Sequence, residues 1–213
     1  MGGFCEPLWL LAPVRSALSG CADSVEVWRD VVVHRKLDRS IGRLRDALAQ
    51  QPSDGGGTAV LSHSFGDWVV RQALADFADP PISALVSVAP LMGVSPIGLL
   101  LRTLGCGRIA EVPVMTNAAC AARGTRLDPR IRRLVIWAHL DLWVRPVTLL
   151  PADNLSVQHY WATHLSIILQ PNVHQRIRRF LSPAPSTFAP VAIQVDSIDN
   201  SRAISSGFTG LIK

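Results

Sequence analysis

Apolar residues recur at helical spacing near the start of the chain, at Leu8, Leu11, Val14, Ala17 and Leu18. With Pro7 suited to a first turn and Gly20 to a stop, they predict a helix over 6–18. Residues 24–27 read as a short strand, and 40–49, with Ile41, Leu44 and Leu48 set among alternating charges, as an amphipathic helix. Pro52 and the glycines at 55–57 break the chain before a buried strand at 58–62. A helix over 66–77 buries Val69, Val70, Ala73 and Leu74 and ends before Pro80 and Pro81. Further buried strands follow at 84–89 and 133–138, separated by a long irregular region over 90–129, and a last helix spans 172–181. The strands are apolar runs and not apolar/polar alternations, and they alternate with helices. That pattern predicts an α/β domain with a mostly parallel central sheet covered by helices on both faces.

The chain has 213 residues, 48% of them hydrophobic, which suits one well-cored domain over 1–182. Residues 183–213 turn to SPAPSTFAP and a serine-rich stretch, read as a C-terminal tail. The net charge of +5 comes almost wholly from scattered arginines, which does not point to nucleic acid. Cys5, Cys21, Cys106 and Cys120 have no CxxC spacing and no grouping with histidine that would hold zinc. They read as free or buried thiols, with Cys5–Cys21 and Cys106–Cys120 left open as pairs. The LSGC at 18–21 mimics a lipoprotein signal, but Glu6 stands where a positive segment belongs and Pro13 and Arg15 interrupt the apolar run. No segment reaches the roughly 20 apolar residues of a spanning helix. The default location is the cytoplasm, with an export signal upstream of Met1 as the alternative. No cofactor or metal is implied, and oligomeric state is not encoded legibly.

In a parallel sheet the C-terminal strand ends converge on one edge, so each strand exit is where reactive groups gather. The strand at 58–62 delivers Ser64 within VLSHSFGDW, the strand at 133–138 delivers Asp141, and His164 follows before the last helix. A serine hydroxyl attacks well only when a base removes its proton, and an imidazole serves best when a carboxylate fixes its tautomer. Singly, Ser64 reads equally as a helix N-cap, Asp141 as a turn carboxylate and His164 as a core histidine. Their joint appearance in order at strand exits favours the chemical reading. His63 reads as a shape-filling neighbour of the serine. His159 and His174 do not make a convincing metal site with His164. Trp68, Trp143 and Trp161 stand near these turns, either lining an acyl pocket or packing in the core.

The order Ser, Asp, His and the flanking text resemble the α/β-hydrolase superfamily, in particular its small lipases and esterases. SHSFG resembles the nucleophile elbow G-x-S-x-G, HLDLWVRP at 139–146 the acid loop, and HLSIILQPNVHQRIRRFL at 164–181 the histidine segment and closing helix. The opening GGF resembles the oxyanion loop, and the resemblance extends over residues 2–182. It implies Ser64, Asp141 and His164 as catalytic residues and the backbone N–H groups of Phe65 and Phe4 as oxyanion donors. The substrate implied is a small-molecule or lipid carboxylic ester, with no nucleic acid and no transmembrane segment. A catalytically silent binding or scaffold protein is the alternative; a thioesterase or amidase is a further one. Residues 91–130 would be a lid or a helix packed on the sheet.

Two departures stand out. Ser62 occupies the first elbow glycine position, and Asp67 follows the second glycine where many members have another. The family's core strand before the oxyanion loop has no counterpart, which predicts an unfilled slot in the sheet and little to hold Phe4. The expectation is that the native protein begins upstream of Met1 or that this form lacks an intact oxyanion hole.

Overall fold

The computed structural model describes residues 1–4, 6, 8–30, 36–51 and 57–182. The tail at 183–213, Cys5 and the glycines at 55 and 56 lie outside the described residues.

Four strands, β1 (Ala59–His63), β2 (Ala84–Val88), β3 (Arg132–Ala138) and β4 (Leu155–Tyr160), form one sheet in the order β1-β2-β3-β4. All neighbouring strands pair in parallel, with Ser62 opposite Ser87, Ser87 opposite Val135, and Ala138 opposite Tyr160. Every residue of β2 and nearly every residue of β3 is buried. Successive side chains point to opposite faces, so both faces of the sheet centre are covered.

The first predicted helix is split into a 3-10 turn, Leu8–Leu11, and α1, Ala12–Leu18. The split falls where Pro13 occupies the first turn of α1, a place that tolerates its missing N–H. Helices α2 (Leu37–Ala49) and α3 (Phe65–Leu74) pack together, as do α1 and α7 (Pro171–Leu181). In α2, Leu44 and Leu48 are buried on one side while the charges face outward.

Three expectations change. Residues 24–27 make only an isolated bridge at Val25 and are no strand of the sheet. The irregular region contains α4 (Pro96–Thr103), a 3-10 turn at Cys106–Arg108, α5 (Glu111–Met115) and α6 (Ala118–Ala121). Short helices such as these carry too few turns to show a 3.6-residue period. Strand β4 is a half-exposed edge strand, so it needs no apolar run and its signal is weak.

On the outer side of β1, Met1 donates its amino group to the Leu61 carbonyl at 2.6 Å and accepts from the His63 amide at 2.9 Å. This is the hydrogen-bond pattern of one parallel-strand residue opposite Ser62. Alongside the rest of β1 runs an apolar groove of about 80 Å³, bordered by Val25 and Val27, by Leu11, Val14 and Leu18, and by Leu44 and Leu48. Among the described residues, β1 is the outer strand of the sheet and this groove lies beside it. The expectation that Phe4 has little to hold it is not met, for Phe4 is buried and its loop is fastened at Met1.

Among the described residues no helix is long and apolar enough to cross a membrane, and no group of three or more His, Cys, Asp or Glu side chains would hold a metal ion. Cys21, Cys106 and Cys120 are free thiols, which removes the Cys106–Cys120 pairing.

Candidate active site

Ser64 sits at the turn between β1 and α3 with φ +55° and ψ −127°. This is a rare conformation for a residue with a side chain and one that stores strain. The turn is pinned on both sides: the Ser64 amide donates to the Val88 carbonyl at 3.0 Å, and the Ser64 carbonyl accepts from Asp67 and Leu91, each at 3.2 Å. Space for it comes from glycine. A side chain at Gly66 would begin 2.5 Å from the Gly2 carbonyl oxygen, and one at Gly3 would begin 2.6 Å from Ser64 Cβ.

The structure brings Ser64, His164 and Asp141 together. His164 Nε2 is 2.8 Å from Ser64 Oγ, and His164 Nδ1 is 2.7 Å from Asp141 Oδ2. The other carboxylate oxygen of Asp141 accepts the amides of Trp143 at 2.7 Å and Val144 at 2.9 Å, so the turn after β3 aims the carboxylate. The Trp143 ring stacks on His164 with centroids 5.4 Å apart. Burial lowers the pKa of His164 more than the Asp141 hydrogen bond raises it, and the nearby His63 lowers it further, so the imidazole is held toward its neutral form. A neutral imidazole with one nitrogen facing a hydroxyl and the other a carboxylate can accept a proton from that hydroxyl.

Beside Ser64 lies a small recess lined by Phe4, Phe65, Leu91, Met115, Trp143 and Val144. Phe65 is the first residue of α3, directly after Ser64. Leu91 and Met115 come from the region after β2, and Ser95 Oγ in that region donates to the Trp143 carbonyl. Of the three tryptophans considered, only Trp143 reaches the recess. Trp68 is buried and donates to the Cys120 carbonyl at 2.8 Å, whereas Trp161 is exposed beside His139. His174 is engaged elsewhere, with Nε2 2.7 Å from the Ile168 carbonyl.

The two departures from the elbow pattern touch each other. Ser62 Oγ donates to Asp67 Oδ1 at 3.1 Å, and Asp67 Oδ2 receives Arg71 Nε at 2.7 Å. His63 is not merely shape-filling: it lies between Glu6 and the His164 main chain, at 2.7 and 2.9 Å. A lone buried carboxylate in an apolar opening segment was the available signal for Glu6, but its partner is distant in sequence.

No protein-family profile matches the chain, and no curated protein matches it. Solved structures do. A monoacylglycerol lipase from Paleococcus ferrophilus is similar over 85% of this chain and 91% of its own, with TM-score 0.60 and 15% identity. A soluble variant of the monoglyceride lipase from Saccharomyces cerevisiae, in complex with a substrate analog, is similar over 85% and 84%, with TM-score 0.53 and 13% identity. The type II thioesterase BorB from the borrelidin biosynthetic cluster is similar over 85% and 88%, with TM-score 0.50 and 17% identity. At such identities the likeness is one of fold.

Proposed function

We propose that this chain, whose fold is that of the α/β-hydrolases, is a serine hydrolase that cleaves carboxylic esters through an acyl-enzyme. The observation that carries this reading is the hydrogen-bonded series Asp141, His164, Ser64, with the serine held at φ +55° on the strand-to-helix turn. Ser64 Oγ attacks the ester carbonyl carbon while His164 Nε2 takes its proton. The tetrahedral centre collapses as His164 returns that proton to the leaving alcohol. A water molecule, deprotonated by His164, then attacks the acyl carbon, and Ser64 regains its proton as the acid departs. Asp141 keeps the proton of His164 on Nδ1 and steadies the positive charge formed in each step.

The developing oxyanion is assigned to the backbone N–H groups of Phe65 and Phe4. Both residues line the recess beside Ser64, which supports the assignment. Each such donor is worth about 2.7–4 kcal/mol of barrier. The lining of the recess is mostly apolar. A thioester would meet the same groups, and the fold likeness includes a thioesterase.

The test is labelling of the purified chain with a fluorophosphonate, alongside Ser64→Ala, followed by turnover of p-nitrophenyl esters and matched thioesters. Labelling is expected in the parent chain and absent in the variant, with ester turnover following the same pattern. A folded parent chain that takes no label would instead mark a catalytically silent member of the fold.

A further inference from the structure

His63 precedes the nucleophile, is fully buried, and has an acceptor at each ring nitrogen. Nδ1 lies 2.7 Å from Glu6 Oε2, and Nε2 lies 2.9 Å from the main-chain oxygen of His164. The same Glu6 oxygen accepts the Gly3 amide. A connected path therefore runs from Gly3 through Glu6 and His63 to His164. One end is the loop that leads into Phe4; the other is the residue whose Nε2 meets Ser64 Oγ.

A neutral imidazole offers one donor and one acceptor, whereas an ionised carboxylate and a carbonyl only accept. One proton between Glu6 and Nδ1 and one on Nε2 toward the His164 carbonyl complete both bonds, whichever of Glu6 and His63 holds the first. Burial raises the Glu6 carboxyl. The charge and hydrogen bond of His63, the Gly3 amide and the Met1 amino group outweigh it and hold the carboxyl below its ordinary range. Among the described residues, the titratable groups around the pair are the Met1 amino group on the N-terminal loop, the His164 ring at 4.9 Å from His63, and Asp141 behind that ring.

We propose that Glu6 and His63 are positioning residues: their buried hydrogen-bonded pair clamps the Gly3–Phe4 loop and the His164 main chain to the Ser64 turn, setting donor, base and nucleophile in one register. The proposal rests on the reading of Ser64, His164 and Asp141 as the reacting set. Neither Glu6 nor His63 touches the reacting atoms. Their loss should fall on the alignment of the reacting groups and spare ground-state binding.

The experiment measures kcat, KM and the fluorophosphonate labelling rate for the parent chain, Glu6→Gln and His63→Gln between pH 6 and 9, with Ser64→Ala as the blank. His63→Gln is expected to lower kcat and labelling by about tenfold or more with KM within about twofold. Glu6→Gln keeps an acceptor for Gly3 but replaces a carboxylate bond to His63 with a weaker amide one. It is expected to lower kcat and labelling less than His63→Gln does, again with KM within about twofold. Variants that match the parent at every pH, or that lose kcat and gain KM equally, would overturn the clamp while leaving the hydrolase reading intact. An unlabelled parent chain would overturn both. Should the variants not fold, proton–nitrogen NMR of the parent chain decides: a His63 ring N–H signal protected from exchange with solvent supports the clamp, and ring protons that exchange as fast as those of an exposed histidine overturn it.

Discussion

Burial disfavours the charged form of His164, and Asp141 offsets only part of that effect. In the proposed function His164 is the general base and works in its neutral form, so the acid limb of kcat/KM would report its pKa in the free protein. The limb is expected to have its midpoint below the ordinary histidine value of about 6.5. The sign for stability is the same: a folded pKa below the unfolded one makes a contribution that is present above about pH 6.5 and lost as the pH falls through the folded value. A pH–rate profile with an acid limb at or above pH 7 would contradict this burial-dominated balance. Ser64, Asp141 and His164 were legible in the sequence because each follows a strand exit or a short turn, where position along the chain predicts position on the sheet edge. Glu6 and His63 were not. Their contact depends on an N-terminal loop folding back over the elbow, and no local pattern encodes that return.

At the scale of elements, the elbow is a junction of two backbones as much as a turn in one. Gly66, in the first turn of α3, faces the carbonyls of Met1 and Gly2, and a Cβ there would lie 2.9 and 2.5 Å from their oxygens. Neither atom belongs to a flexible side chain, so the N-terminal loop itself must move. Gly66→Ala is expected to cut fluorophosphonate labelling by about tenfold or more, since displacement near 1 Å at a reacting centre costs about two orders of magnitude. Gly42→Ala is the control, because a Cβ there meets nothing within 4 Å. It should leave labelling unchanged and raise stability by about 0.5–1 kcal/mol, as alanine does in a helix interior. Equal labelling by both variants would show that the loop does not need its close seat on α3. The central strands of the sheet were legible as apolar runs, and α3 as the helix after the serine. The half-exposed β4 and the short helices after β2 were not, since an exposed edge strand needs no apolar run and helices of one or two turns are too short to show a period.

Across the whole molecule, the polar residues at the two altered elbow positions belong to one buried network. Asp67 is fully buried between Ser62 and Arg71, with Arg133 3.8 Å away, and Arg71 extends to the carbonyls of Leu91, Ala121 and Arg123. A single guanidinium thus joins α3, the exit of β2 and the segment around α6. Burial raises the Asp67 carboxyl, but the charges of Arg71 and Arg133 outweigh it and hold the group below the usual carboxylate range. Its stabilising contribution is therefore present above about pH 4 and lost as acid protonates it. Removing one partner strands the other charge in the interior, which costs about 3–5 kcal/mol, whereas replacing both by apolar residues of similar size is often near neutral. Arg71→Met is expected to lower the free energy of urea unfolding by about 3 kcal/mol or more. The double variant Arg71→Met with Asp67→Leu should recover much of that loss, less the bonds that Arg71 makes to the three carbonyls. A single variant within about 0.5 kcal/mol of the parent would mean that the ion pair is not what fastens this segment to the elbow.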